Sequence, residues 1–160
     1  MIRIATPMDV RPMAEILEAR YRASLYAQLG EMDVTAAKRM LTSLIFAQNK
    51  VVAEGTLVMV AERDERIVAF IVGYLDPVYH IGPALTATDL YFVSREGADL
   101  RDIKGLAEAF TAWALSIPKV VEIKMGLVDT FGTDIEVAGR IYSGLGLDRC
   151  GTIYRRSIER

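Results

Sequence analysis

The sequence predicts an α/β (α+β) domain, a mixed twisted sheet of about six or seven strands flanked by four helices. Two observations carry this. Apolar residues alternate along the chain between the two-residue repeat of strands and the 3.6-residue repeat of helices, giving the order β-α-α-β-β-β-α-β-α-β. The late β-α-β unit requires at least one parallel strand pair with a right-handed crossover, whereas the central hairpin requires antiparallel pairing, so the sheet is mixed. The chain has 160 residues, enough for one domain with a real core and too few for two ordinary ones. A single domain over 1–160 is therefore expected.

Residues 2–5 alternate as a short strand. Thr6-Pro7-Met8-Asp9 reads as a helix start, with a capping Thr, a Pro suited to the first turn and an acid at the positive end of the dipole. Val10, Met13, Leu17 and Tyr21 follow at helical spacing, and Gly30 closes the segment. A second helix starts at Asp33, with Val34, Ala37, Leu41, Leu44 and Ile45 on its apolar face. Leu57–Glu62 and Ile67–Leu75 are β-branched runs joined by the tight polar turn Arg63-Asp64-Glu65-Arg66. After an irregular stretch with Pro77, Gly82 and Pro83 comes a strand over Ala87–Val93. The next helix carries Ile103, Leu106, Ala107, Phe110 and Ala114 on one face and stops before Pro118. Val120–Met125 is a strand. Thr133-Asp134-Ile135-Glu136 is a capping box for a fourth helix, whose apolar face is Val137, Ala138, Ile141, Tyr142 and Leu145, with Gly146 at its end. A last strand runs from about Gly151 to Ile158.

Composition narrows the function. The chain is 52% hydrophobic and 25% charged, as a globular protein is. A net charge of −2 leaves no footprint for nucleic acid or an anionic membrane. The longest apolar run, Ile67–Leu75, is about half of the ~20 residues a membrane span needs, and the N-terminus lacks the apolar run of a signal peptide. The single cysteine, Cys150, excludes an intrachain disulfide and suits a reducing, cytoplasmic location. With one His and one Cys there is no zinc-ligand cluster, and no metal is expected. Cys150 is read as a small buried residue, since no histidine lies near it in sequence. His80, the sole histidine, reads as structural or exposed.

Taken in order, several segments resemble those of the acyl-CoA N-acyltransferase (GNAT) family. Ile2-Arg3-Ile4-Ala5-Thr6-Pro7-Met8-Asp9 looks like its opening strand and helix. Val60-Ala61-Glu62-Arg63-Asp64 leading to Ile67-Val68-Ala69-Phe70 is similar to its central hairpin. Asp89-Leu90-Tyr91-Phe92-Val93 resembles the strand that carries the acyl-CoA arm. Ala138-Gly139-Arg140-Ile141-Tyr142, with Leu145-Gly146-Leu147, resembles its last helix and the glycine turn after it. Gly151-Thr152-Ile153-Tyr154-Arg155-Arg156 looks like its closing strand. The wording also resembles GNAT-like proteins encoded by bacteriophages, which implies no activity.

The resemblance implies an N-acetyltransferase that takes acetyl-CoA as co-substrate. The acetyl group would pass to a small-molecule amine or a protein amino group by direct attack in a ternary complex. It implies that Tyr142 protonates the leaving thiolate and that Asp89 orients the water that deprotonates the amine. It implies a cofactor site lined by Leu90, Tyr91, Phe92 and Val93 and by the segment from Arg95 to Lys104. Within that segment Gly97 is the one surviving glycine of the phosphate loop, Arg101 is the counterpart of the family's arginine, and Arg95 and Lys104 add charge. Tyr21, Tyr26, Tyr79 and the region of His80 would lie near the acceptor pocket. Each residue has a plainer reading: Tyr142 as core aromatic, Asp89 as a solvated strand residue, the cations as a charged surface.

The loop departs from the family's pattern. Asp99 and Asp102 read as helix cap and first-turn acid, and a carboxylate there would occupy N–H donors and repel a pyrophosphate. The rival expectation is therefore a degenerate GNAT-fold module with a structural or interaction role. General base rates suggest a homodimer.

Overall fold

The computed structural model describes residues 1–48, 55–127 and 134–151. Among them five strands form one sheet: β1 (Ile2–Ile4), β2 (Thr56–Arg63), β3 (Arg66–Pro77), β4 (Leu85–Ser94) and β5 (Val120–Lys124), in the spatial order β1-β2-β3-β4-β5. That is fewer than the six or seven strands expected. The expected strand from Gly151 to Ile158 lies, after its first residue, outside the described residues. Pairing is antiparallel from β1 to β4 and parallel between β4 and β5, so the sheet is mixed.

Four helices surround it: α1 (Val10–Arg22), α2 (Val34–Phe46), α3 (Leu100–Leu115) and α4 (Ile135–Gly144). β3 is buried on both faces, as its near-continuous apolar sequence requires. Phe70 and Val72 pack against Met13 and Ile16 of α1 and Leu41 and Ile45 of α2. Ala69 and Ile71 pack against Leu106, Phe110 and Ala114 of α3. The sheet is thus covered by α1 and α2 on one face and by α3 on the other.

Several boundaries differ from expectation for local reasons. Pro7–Asp9 is a 3₁₀ turn ahead of α1, not its first turn. Asp9 is a hub: Arg3 donates to both its oxygens at 2.7 and 2.8 Å, and the Thr6 N–H donates at 2.8 Å. Burial opposes the Asp9 charge, but these bonds overcome it and hold the carboxyl below its ordinary range. α1 stops at Arg22, well before Gly30, because the Ser24 hydroxyl donates to the Tyr21 carbonyl and accepts from the Tyr26 N–H, starting a separate 3₁₀ turn. The β2–β3 turn is tight, with Asp64 and Glu65 both left-handed at φ 49° and 59°, as a two-residue hairpin loop demands. The cap of α4 is Asp134, which accepts from the Glu136 and Val137 N–H groups; Thr133 lies outside the described residues.

Two irregularities shape the middle of the sheet. Val72 pairs with Tyr91 and Gly73 with Asp89, which leaves Leu90 as the extra residue of a bulge in β4. Gly73 also admits the Phe110 ring: a Cβ there would stand 2.4 Å from it. The parallel ladder between β4 and β5 ends at Thr88 and Lys124. β4 continues from Asp89 to Ser94 without β5 beside it.

Candidate functional site

The strands part at Asp89, one residue beyond the last β4–β5 pair. Its Oδ1 accepts the Gly126 N–H at 2.7 Å, which holds the chain after β5 in place at the apex of the opening. Half-buried there, the Asp89 carboxyl is pushed above its ordinary range by desolvation, with the Gly126 N–H opposing in part.

Below this apex lies a cavity of about 480 Å³. One wall is β4 from Asp89 to Ser94, followed by Arg95, Gly97 and Ala98. Gly126, Leu127 and the helix α4, through Val137, Ala138, Ile141 and Tyr142, also line the cavity. Leu100 and Ile103 of α3, Asp134 at the start of α4 and Arg20 of α1 complete it. The apolar stripe of α4, read from periodicity as a core face, therefore lines a cavity instead. Of its residues only Tyr142 is buried, at 8% exposure. Burial, and then the Asp89 charge, push the Tyr142 phenol well above its ordinary value. It is accordingly a protonated hydroxyl at any working pH, able to donate and unable to act as a resting base.

The cavity thus brings together Tyr142, Asp89, Leu90, Tyr91, Phe92, Val93, Arg95 and Gly97 from the expected set. Gly97 adopts φ +72° in a turn closed by the Ala98 N–H on the Arg95 carbonyl, a conformation that favours glycine. Arg101 and Lys104 do not line the cavity. Asp99 caps α3, accepting the Arg101 N–H at 2.9 Å, and the Arg101 side chain folds back on the same carboxylate at 2.7 Å. The Arg101 side chain, then its N–H, lower the Asp99 carboxyl to about 2. Arg63 of β2 reaches both Asp99, at 3.3 Å, and the buried Asp102, at 2.9 Å. Lys104 faces Glu108 one turn on, at 3.4 Å. The positive end of α3 is satisfied within the chain.

Arg20 is a charged lining residue that the sequence reading missed, as it missed Gly126, Leu127, Asp134 and the cavity role of Val137, Ala138 and Ile141. It projects from α1 and donates through Nε to the Ser94 carbonyl at 2.6 Å. Nothing in its helical spacing marked it, because the contact joins residues 74 apart. Tyr21, Tyr26, Tyr79 and His80 are absent from the lining. His80 instead pairs with Asp76 at 2.9 Å on an exposed turn. Cys150, expected to be buried, is exposed: it follows the Gly146 turn, where the chain has left the apolar face of α4. Trp113 packs on Phe110, with ring centroids 5.7 Å apart. Among the described residues there is no group of three or more His, Cys, Asp or Glu suited to a metal ion, and no helix is long and apolar enough to cross a membrane.

No family model matches the sequence, and no curated protein matches it. Solved structures share its fold across nearly its whole length. Glucosamine-6-phosphate N-acetyltransferase from Arabidopsis thaliana superposes with a TM-score of 0.69 at 12% identity, over 99% of this chain and 98% of the other. Ribosomal-protein-alanine N-acetyltransferase from Brucella melitensis biovar Abortus 2308 does so with a TM-score of 0.64 at 15% identity, over 99% of each. A structure described as a transcriptional regulator from Bacillus halodurans C-125 gives 0.66 at 16% identity, again over 99% of each. At these identities the likeness is one of fold.

Proposed function

We propose that this chain, whose fold is that of the GNAT acetyltransferases, is an acyl-CoA-dependent N-acetyltransferase of the cytoplasm. Its acceptor is a small-molecule amine or a protein amino group. The observation that carries the proposal is the cavity at the β4–β5 split, with Asp89 and Tyr142 both in its lining.

The thioester arm of acetyl-CoA lies along the part of β4 that β5 leaves unpaired, where free backbone groups can meet its amides. The acceptor amine must be neutral to attack. Asp89, directly or through a water, takes a proton from its ammonium form. The nitrogen lone pair then adds to the thioester carbonyl carbon, forming the C–N bond. The carbon–sulfur bond breaks as the tetrahedral adduct collapses, and the departing thiolate takes its proton from the Tyr142 hydroxyl. The nitrogen loses its second proton to solvent, from which Tyr142 is reprotonated. The raised Asp89 carboxyl supports the first role, because it suits a base better than an ordinary aspartate does. The Tyr142 role rests on its place in the lining, since burial keeps the phenol protonated but also makes it a weaker acid.

A second reading has a specific observation behind it. The N-terminus of α3 is filled by Asp99 and guarded by Asp102, which favours a domain that has lost catalysis and serves as an interaction module. A calorimetric titration with acetyl-CoA, followed by an assay of thiol release over a panel of primary amines, separates the two. Saturable binding with amine-dependent thiol release is expected. Absence of binding would establish the module instead.

A further inference from the structure

The α3 helix end is occupied by its own Asp99, yet the cavity is not without cations at that end. Arg20 comes from α1 and Arg95 follows β4, and both line it. Each is anchored through Nε to a backbone carbonyl, Arg20 to Ser94 at 2.6 Å and Arg95 to Ile67 at 2.9 Å. Ser94 pairs with Ala69, two residues from Ile67, so the two guanidinium groups are anchored at the same end of the β3–β4 ladder. Among the described residues no carboxylate pairs with Arg20, and Arg95 has only Glu15, at 3.8 Å. Two half-buried forks, fixed at Nε and with Nη groups left over, suit an oxyanion.

The position of this pair acts as a ruler. β4 rises about 3.3 Å per residue, and with Leu90 bulged out the stretch from Asp89 to Ser94 matches the four steps from Gly73 to Ala69, roughly 13 Å, which puts Arg95 just beyond. An extended pantetheine arm, from sulfur to phosphorus, matches between four and five residues of extended chain, or about 15 Å. A thioester sulfur between Asp89 and Tyr142 therefore sets the first phosphate beside Arg20 and Arg95. Beyond them the surface offers little to further phosphates. The adjoining groove, of about 690 Å³, shares Arg95 and Gly97 and adds Arg66, but against these it carries Asp9, Glu15, Glu62, Glu65 and Glu96, while its Arg3 is already bound to Asp9 and Glu62.

We propose that Arg20 and Arg95 form the anion-binding end of the cavity, and that the anion they take is the single phosphate of a 4′-phosphopantetheine thioester. The nucleotide half of a CoA ligand then adds little to binding. This rests on the acetyltransferase reading of the same cavity, and it names the part of the donor that the chain recognises.

The full chain is titrated with acetyl-CoA, S-acetyl-4′-phosphopantetheine, S-acetylpantetheine and adenosine 3′,5′-bisphosphate. The phosphorylated arm is expected to bind within about threefold of acetyl-CoA. S-acetylpantetheine should bind about tenfold or more weaker, the loss expected when charge-assisted hydrogen bonds go. Arg20→Gln and Arg95→Gln should each bring the phosphorylated arm toward the level of S-acetylpantetheine, whose own affinity stays unchanged. Arg20→Lys should retain part of the difference, and Lys38→Gln, an exposed control on α2, all of it. Binding of acetyl-CoA about tenfold tighter than the phosphorylated arm would overturn the proposal, as would equal binding of the two acetylated arms or indifference to both substitutions. In each of these results a thioester still binds, so the acetyltransferase reading survives. Binding of none of the three thioesters overturns both.

Discussion

The Asp89 carboxylate accepts the Gly126 N–H at 2.7 Å and so bridges the two strands where their ladder ends. One of its oxygens is structural, which leaves the other for chemistry. Asp89→Asn keeps an acceptor for Gly126 and removes the base. Thiol release should fall by about 10²- to 10⁴-fold, the usual contribution of a positioned base. Stability should move the other way. A carboxyl whose folded pKa is raised contributes stability below its unfolded pKa, and that contribution is lost as pH rises through the folded value. At neutral pH the Asn variant should therefore melt at or above the parent temperature, and the gain should vanish as pH falls through the ordinary aspartate range. Melting curves at several pH values check this.

Tyr142→Phe removes one hydroxyl and little volume. Thiol release should drop by about 100-fold. Affinity for acetyl-CoA should hold within about threefold, because the ring still forms the cavity wall. An equal loss of binding and rate would show that Tyr142 is packing alone.

Asp99→Gly opens the end of α3. Helix capping should suffer little, since glycine is tolerated at an N-cap. The N–H groups and Arg101 are released together, so affinity for acetyl-CoA should rise severalfold while that for S-acetylpantetheine stays constant. No pH change can mimic this above about 2, where the Asp99 carboxyl titrates. The cap's contribution is complete above the ordinary aspartate pKa and is lost progressively as pH falls from there through the depressed value. Calorimetric titration of both proteins with both ligands is the measurement.

Gly73→Ala tests the contact that seats α3 on β3. Its Cβ would meet the buried Phe110 ring at 2.4 Å, and that ring packs in turn on Trp113. Overpacking of this kind costs about 1–3 kcal/mol, readable in denaturant unfolding. Gly105→Ala on α3, where the nearest atom is a flexible Ile2 side chain at 3.3 Å, should cost distinctly less.

Sequence alone determined what depends on neighbours within a turn or two. The order of elements as far as α4 followed from periodicity, the tight Asp64–Glu65 turn from its polar run, and the Asp99 cap from one residue's place before a helical stripe. The parallel pairing of β4 with β5 followed from chain connectivity, because parallel neighbours need a crossover of a dozen or more residues and α3 supplies one. Tertiary structure decided the rest. The same apolar stripe on α4 can bury itself or line a cavity, and only the parting of β4 from β5 selects between them. Arg101 carries the same charge whether it faces a phosphate or Asp99, and the choice depends on a short bond that no pattern records. Arg20 reaches the site across 74 residues of chain, a contact made by packing α1 against the sheet. Periodicity reports which face of an element is apolar. What that face meets is set by packing between elements far apart in sequence, which local propensities do not encode.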